Sequence, residues 1–198
     1  TYKIKEYVDQ SHVKSALIVG GGYIGVEMAD NLHAAGLKVT IVEFADHVIA
    51  PIDYDMACEV HNHIRSKGVN LILKDGVKEI QNYGEQLKVI LGNSEIITDM
   101  VIMSVGVRPE STLAKETGLE VSPKGAIIVN ANMQTSNKDI YAVGDAIQIK
   151  DFVTGDDGYI PLAGPANKQG RIAAENICGI PSTYKGTQGT GILKCFDL

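Results

Sequence analysis

Gly20, Gly22 and Gly25, in the run Gly20-Gly21-Gly22-Tyr23-Ile24-Gly25, have the spacing with which a backbone can take up a pyrophosphate. Gly20 permits a tight turn, Gly22 carries no Cβ to hold a phosphate away, and Gly25 lets a helix lie close to the strand before it. Glu43 follows about 20 residues on, where a carboxylate can accept both hydroxyls of an adenosine ribose. It is followed by Phe44-Ala45-Asp46, with no Arg or Lys to receive a 2′-phosphate, so the expected ligand is NADH rather than NADPH. The alternative is a glycine-rich turn with a chance acid downstream.

That chemistry requires elements in a fixed order. The apolar run Ala16-Leu17-Ile18-Val19 predicts a strand over about 15–20. Ile24, Met28, Leu32 and Ala35 recur at helical spacing, with Gly36 as the stop, and Lys38 to Val42 is a second strand that ends on Glu43. The N–H groups and positive dipole end of the intervening helix would then face the phosphates.

Before this unit, residues 1–14 read as a helical lead-in with Ile4, Tyr7 and Val8 on one face. After it, a helix is expected from Asp53, as N-cap, to Gly68, and Val69–Leu73 is a third strand. A doubly wound domain would next insert a crossover helix. Three short strand-like segments stand there instead, Val77–Gln81, Gln86–Leu91 and Glu95–Thr98, which predicts an antiparallel meander. Met100–Val105 is apolar throughout, as in a strand buried on both faces, and ends on Gly106-Val107-Arg108-Pro109. Further strands are expected over Ala126–Val129 and Ile140–Val143. An acidic hairpin tip is expected at Thr154–Gly158, and a helix over Pro165–Cys178.

With 198 residues the chain can hold one or two domains, and its net charge of −6, without a basic run, argues against a nucleic-acid surface. No apolar stretch approaches the roughly 20 residues that cross a bilayer, so no membrane partner is expected. Cys58, Cys178 and Cys195 are odd in number and far apart. They read as thiols of a cytoplasmic protein, each more a small buried hydrophobe than a nucleophile. His61 and His63, two apart on a helix, point to different faces and read as solvated rather than as a metal pair. Asp151, Asp156 and Asp157 lack the spacing of a calcium loop, and Lys168 and Arg171 read as surface charge.

Four motifs in this order, GGGYIGVE over Gly20–Glu27, VGVRP over Val105–Pro109, TSNKDIYAVGD over Thr135–Asp145 and PLAGPANKQGR over Pro161–Arg171, give the chain its likeness to a family. It resembles the pyridine nucleotide–disulfide oxidoreductases, and within them the single-cysteine branch of coenzyme A-disulfide reductases, NADH oxidases, NADH peroxidases and persulfide reductases. The resemblance implies an α/β chain whose Rossmann-like NAD domain, with its lead-in, covers 1–123. Its parallel sheet has a three-stranded antiparallel meander as a crossover. Residues 124–187 would be the second, incomplete segment of an FAD-binding domain, and 188–198 the start of a C-terminal interface domain.

The implied cofactors are NADH and FAD. Gly20, Gly22, Tyr23, Ile24, Gly25, Glu27, Glu43, Val105 and Gly106 would serve the nicotinamide dinucleotide, and Gly144, Asp145, Leu162, Ala163 and Ala166 the flavin. Asp145 would bond the ribityl chain, and the helix after Ala163-Gly164-Pro165 would aim its N-terminus at the pyrimidine end of the ring, where reduction places negative charge. Glu27, in the first turn of the nucleotide helix, would approach the flavin–nicotinamide contact and pair with a lysine of the first FAD segment. Otherwise it is an acid favoured near any helix N-terminus. Gly106 would let the nicotinamide slide close to the flavin, or is an ordinary strand-end turn.

The sequence has one glycine fingerprint where the family has two, and the family's redox cysteine belongs with the earlier one. No catalytic or metal-binding residue is therefore assigned here. The chain starts at Thr1 without Met, and the expectation is an excised piece that binds NADH, holds little FAD and does not turn over. Its parent is expected to be a homodimer that passes a hydride from NADH to FAD and electrons on to a cysteine. The acceptor would be a small disulfide or persulfide such as coenzyme A disulfide, or alternatively oxygen or peroxide. The rival from another class is a non-catalytic nucleotide-binding module.

Overall fold

Alternation along the first strands decides the layers. The structure, a computed structural model, describes residues 2–10 and 12–198. In chain order it begins α1 (Tyr2–Val8), β1 (Ser15–Val19), α2 (Tyr23–Ala34), β2 (Lys38–Glu43), α3 (Tyr54–Ser66) and β3 (Asn70–Leu73). The meander β4 (Val77–Tyr83), β5 (Gln86–Leu91) and β6 (Glu95–Thr98) leads into β7 (Met100–Met103). The strands β3, β2, β1 and β7 pair in that order as a parallel sheet. Ala16 and Ile18 of β1, with Val39 and Ile41 of β2, point into a core shared with Val26, Ala29 and Leu32 of α2 and Val60 and Ile64 of α3. Leu17, Val19 and Val42 point the other way, onto Val89 and Leu91 of the meander. The meander thus covers the face that a crossover helix would otherwise cover.

Ile4, Tyr7 and Val8 of α1 pack on the first core, as their spacing predicts. Asp53 does occupy the N-cap of α3, but its side chain makes no capping bond. The carboxylate of Asp55 takes the N–H of Met56 instead. The apolar run Met100–Val105 is not buried on both faces. Among the described residues β7 is an edge strand with β1 as its one sheet neighbour, and Met103 is 56% exposed and Val105 69%.

The compact units are Thr1–Gly106 with Leu193–Leu198, and Val107–Ile192. They part at Gly106, whereas the sequence reading draws its boundary at 123. Ala114 of the short helix α4 (Thr112–Glu116) and Leu119 pack on the second unit's own core, with Ile127, Met133, Ile147, Ile149 and Ala173. Cys195 and Phe196 pack in the first unit's core.

The second unit has β8 (Ile149–Lys150), β9 (Asp157–Gly158) and α5 (Ala163–Ile177), with a single 3-10 turn at Gly144–Ala146. β8 and β9 pair around the expected acidic tip, and a Lys150–Asp157 ion pair closes it. The strands expected over Ala126–Val129 and Ile140–Val143 are not formed. Ile127 makes single bridges to Val121 and Ile147, and Tyr141 one to Gln134, so no ladder continues. Ile140 is exposed and Tyr141 to Val143 are only half-buried.

Candidate functional site

Packing, as much as flexibility, dictates the glycine turn. Gly20 takes φ +104°, and a Cβ there would lie 2.4 Å from the carbonyl oxygen of Ser104. At Gly25 a Cβ would lie 1.9 Å from the carbonyl oxygen of Gly20, so α2 reaches this close to β1 only with a glycine. Gly22 is the opposite case, with nothing within 4 Å of where its Cβ would be. It is the N-cap of α2, makes no side-chain cap, and no acid stands in the first turn. The first-turn N–H groups, beside the exposed Tyr23 and Ile24, are therefore free to meet an anion at the positive end of the dipole.

Glu43 ends β2 and turns its carboxylate onto this loop. Its Oε2 accepts the N–H of Gly21 at 2.5 Å, and its Oε1 accepts the N–H of Ala45 at 2.7 Å. Two bonds fix the group, and each oxygen keeps a lone pair for a hydroxyl donor. The next peptide, on the other side of the Gly21 Cα, is held as well, since the N–H of Ile49 donates to the carbonyl of Gly21 at 2.9 Å. Ser104, past the end of β7, donates its hydroxyl to the carbonyls of Val19 and Gly20 at 2.9 and 3.0 Å and closes the turn from below.

Glu27 lies in the second turn of α2, not the first, because the helix starts at Tyr23. It is exposed and makes no ion pair among the described residues. Val105 is exposed just past β7, and Gly106 has φ +91° with open space where a Cβ would be.

In the second unit two of the five expected flavin positions, Gly144 and Ala166, come close together, and Gly144 bonds one buried side chain of α5. Gly144, at φ +73°, donates its N–H to Oε1 of Gln169 at 2.8 Å, and Gln169 is 1% exposed within α5. A Cβ on Gly144 would lie 3.7 Å from that of Ala166. Asp145 is exposed on the 3-10 turn, and Leu162 caps α5 without a side-chain bond, followed by exposed Ala163. The hydroxyl of Tyr159 is buried without a partner among the described residues, and burial, then the nearby Asp145 carboxylate, pushes its pKa up. An exposed acid, an uncapped 15-residue helix and an orphaned hydroxyl are open hydrogen-bonding positions that suit a polar cofactor.

Two expectations change. His61 is not solvated: it is 4% exposed, and its Nε2 accepts the N–H of Val48 at 3.1 Å. His63 is half-buried, 2.8 Å from a carboxylate oxygen of Asp197. Of the cysteines only Cys195 is a buried hydrophobe, its thiol pushed up to about 11 by burial, then by Asp30 and Asp197. Cys178 is exposed and Cys58 half-buried. Among the described residues no group of three or more His, Cys, Asp or Glu could hold a metal, and no helix is long and apolar enough to cross a membrane. Ser104 and Gln169 escaped the sequence reading, and His61 entered it only as a solvated histidine. A hydroxyl closing an apolar run could have flagged Ser104, but Gln169 sits among polar helix residues and nothing marks it.

The sequence model of the family described as pyridine nucleotide-disulphide oxidoreductase matches residues 1–170. A crystal structure of reduced Bacillus anthracis CoADR-RHD is similar to this chain at a TM-score of 0.94 and 49% sequence identity, the match covering 99% of this chain and 35% of that one. The NAD(P)H sulfur oxidoreductase (CoA-dependent) of Pyrococcus abyssi is 34% identical and the NADH oxidase of Methanocaldococcus jannaschii 36%, each over 98% of this chain and 44% of their own length. The chain therefore spans less than half the length of these relatives.

Proposed function

The chain belongs to the pyridine nucleotide-disulphide oxidoreductase family, and on that premise we propose that it is the NADH-binding portion of an FAD-dependent oxidoreductase. The observation that carries this is the turn itself: two glycines that packing requires, one left open, and a carboxylate bonded to the same loop. When bound, the dinucleotide supplies a hydride and the flavin relays its electrons. The residues of the chain bind and orient. The first turn of α2 offsets pyrophosphate charge, and Glu43 accepts the ribose hydroxyls while repelling a 2′-phosphate. The bare backbone at Gly106 leaves room for the nicotinamide. In the second unit Asp145 accepts from the ribityl hydroxyls, and the N-terminus of α5 favours negative charge on the pyrimidine end.

For the acceptor, a small disulfide or persulfide such as coenzyme A disulfide is the first reading. It is supported by the names of the Bacillus and Pyrococcus relatives. The NADH oxidase relative supports oxygen or peroxide as the second. The complete reading frame that carries this sequence is expected to purify yellow and to oxidise NADH faster with coenzyme A disulfide or a persulfide than with oxygen or peroxide. Oxidation that no disulfide or persulfide accelerates would favour the second reading. A colourless protein with no NADH oxidation would overturn both in favour of a binding module.

A further inference from the structure

The loop after Glu43 is held in a conformation that its own sequence resists. Ile49 sits at φ +55°, a left-handed conformation costly for a β-branched residue, yet it is 5% exposed and bonded to Gly21. Val48 is wholly buried against the same glycine, where a Cβ would come 2.7 Å from its Cγ1. A further bond ties this pair to α3, from the N–H of Val48 to Nε2 of His61. That nitrogen can accept only while it carries no proton, so the imidazole must be neutral with its hydrogen on Nδ1. A proton on Nε2 would set one donor against another.

We propose that His61 is a positioning residue of the nucleotide site. Unprotonated, it clamps Val48 and Ile49 onto Gly21, and so fixes from its carbonyl side the residue whose N–H Glu43 accepts. Protonated, it releases them, and affinity for the dinucleotide falls. This rests on the NADH reading of the site. Among the described residues His61 makes no hydrogen bond to the turn or to Glu43, and it acts through the loop.

The charged groups around it agree. Burial depresses the pKa of His61, Arg65 on α3 and His47 on the loop depress it further, and Asp46 on the loop opposes them. His47 is itself raised by its 2.6 Å bond to Asp46 and so is cationic over the acidic range, with the Tyr54 ring packed perpendicular to it. The clamp is therefore closed at neutral pH and opens below His61's ordinary value of 6.5.

The test is equilibrium titration of the 198-residue chain with NADH from pH 8 to 5.5, with far-UV circular dichroism at each pH to confirm folding. The wild type should bind with constant affinity above pH 7 and weaken about threefold to tenfold in acid. His61→Gln, whose Oε1 accepts the same N–H without titrating, should retain most of the pH 8 affinity and lose the acid limb. His61→Leu should bind weakly at every pH, and His47→Gln should keep the acid limb. An acid limb that survives in His61→Gln would overturn the proposal. If that variant fails to fold, the Nε2 nitrogen shift of His61 in the wild type decides. Its protonation midpoint must coincide with the midpoint of the acid limb, and a mismatch would equally overturn the proposal. Absence of NADH binding by the wild type at pH 8 would instead refute the nucleotide reading itself.

Discussion

A single methyl group at position 25 is the smallest change with a large expected effect, because it would meet the Gly20 carbonyl at 1.9 Å. Relief requires α2 to move off β1, which carries the first-turn N–H groups proposed to meet the phosphates away from the turn. Gly25→Ala is expected to cost ~1–3 kcal/mol in urea denaturation and to weaken NADH binding more than that loss explains. An unchanged dissociation constant would show that the close approach is dispensable. Asp99 gives a second test at this scale. Burial alone would raise its pKa. Hydrogen bonds from the Gln86 amide, the N–H of Lys14, and the hydroxyl and N–H of Ser15 outweigh this and hold it at about 2. A depressed value contributes stability above the unfolded pKa of 3.8 that is lost as pH falls through 2. Asp99→Ala should cost roughly 2 kcal/mol or more at pH 7, and the gap to wild type should close toward pH 2. A gap that does not change with pH would refute the role of the charge.

Between elements, the bond from Gly144 to Gln169 joins the 3-10 turn that carries Asp145 to α5. Gln169→Ala leaves a half-buried N–H unpaired and is expected to cost about 1–3 kcal/mol, read as a lower urea midpoint. Gln169→Glu, which keeps an acceptor, should recover part of it, and equal midpoints for Gln169→Ala and wild type would contradict the link. The parallel strands, both long helices of the first unit and the meander were legible because periodicity and glycine punctuation agree there. β7 misled because an apolar run reports burial in general and not which neighbours supply it; at a sheet edge Met103 and Val105 stay open. Ala126–Val129 and Ile140–Val143 misled because strand formation needs a partner ladder, and Ile127 and Tyr141 find only single bridges. Most of the candidate nucleotide site proposed here lies between Gly20 and Glu43, where the sequence reading looked for it. The clamp behind it could not, since His61 meets Val48 only after α3 has packed.

At the scale of the whole molecule, carboxylates held below their ordinary pKa stand in both units. Asp75 and Asp99 are in the first, and Glu110 and Asp151 in the second. Each favours the folded state above the unfolded carboxylate range and loses that preference in acid. Urea midpoints should therefore be level near neutrality and fall steadily below about pH 4, and an acid-independent midpoint would contradict these assignments. The central claim is that the first unit is a site for NADH whose selectivity rests on Glu43. Its most direct test is paired titration of the chain with NADH and NADPH at pH 8, for wild type and Glu43→Ala. NADH should bind at least about tenfold more tightly than NADPH, from the repulsion between carboxylate and 2′-phosphate, and Glu43→Ala should narrow that ratio. NADPH binding as tightly as NADH to the wild type, with a ratio that Glu43→Ala leaves unchanged, would contradict it.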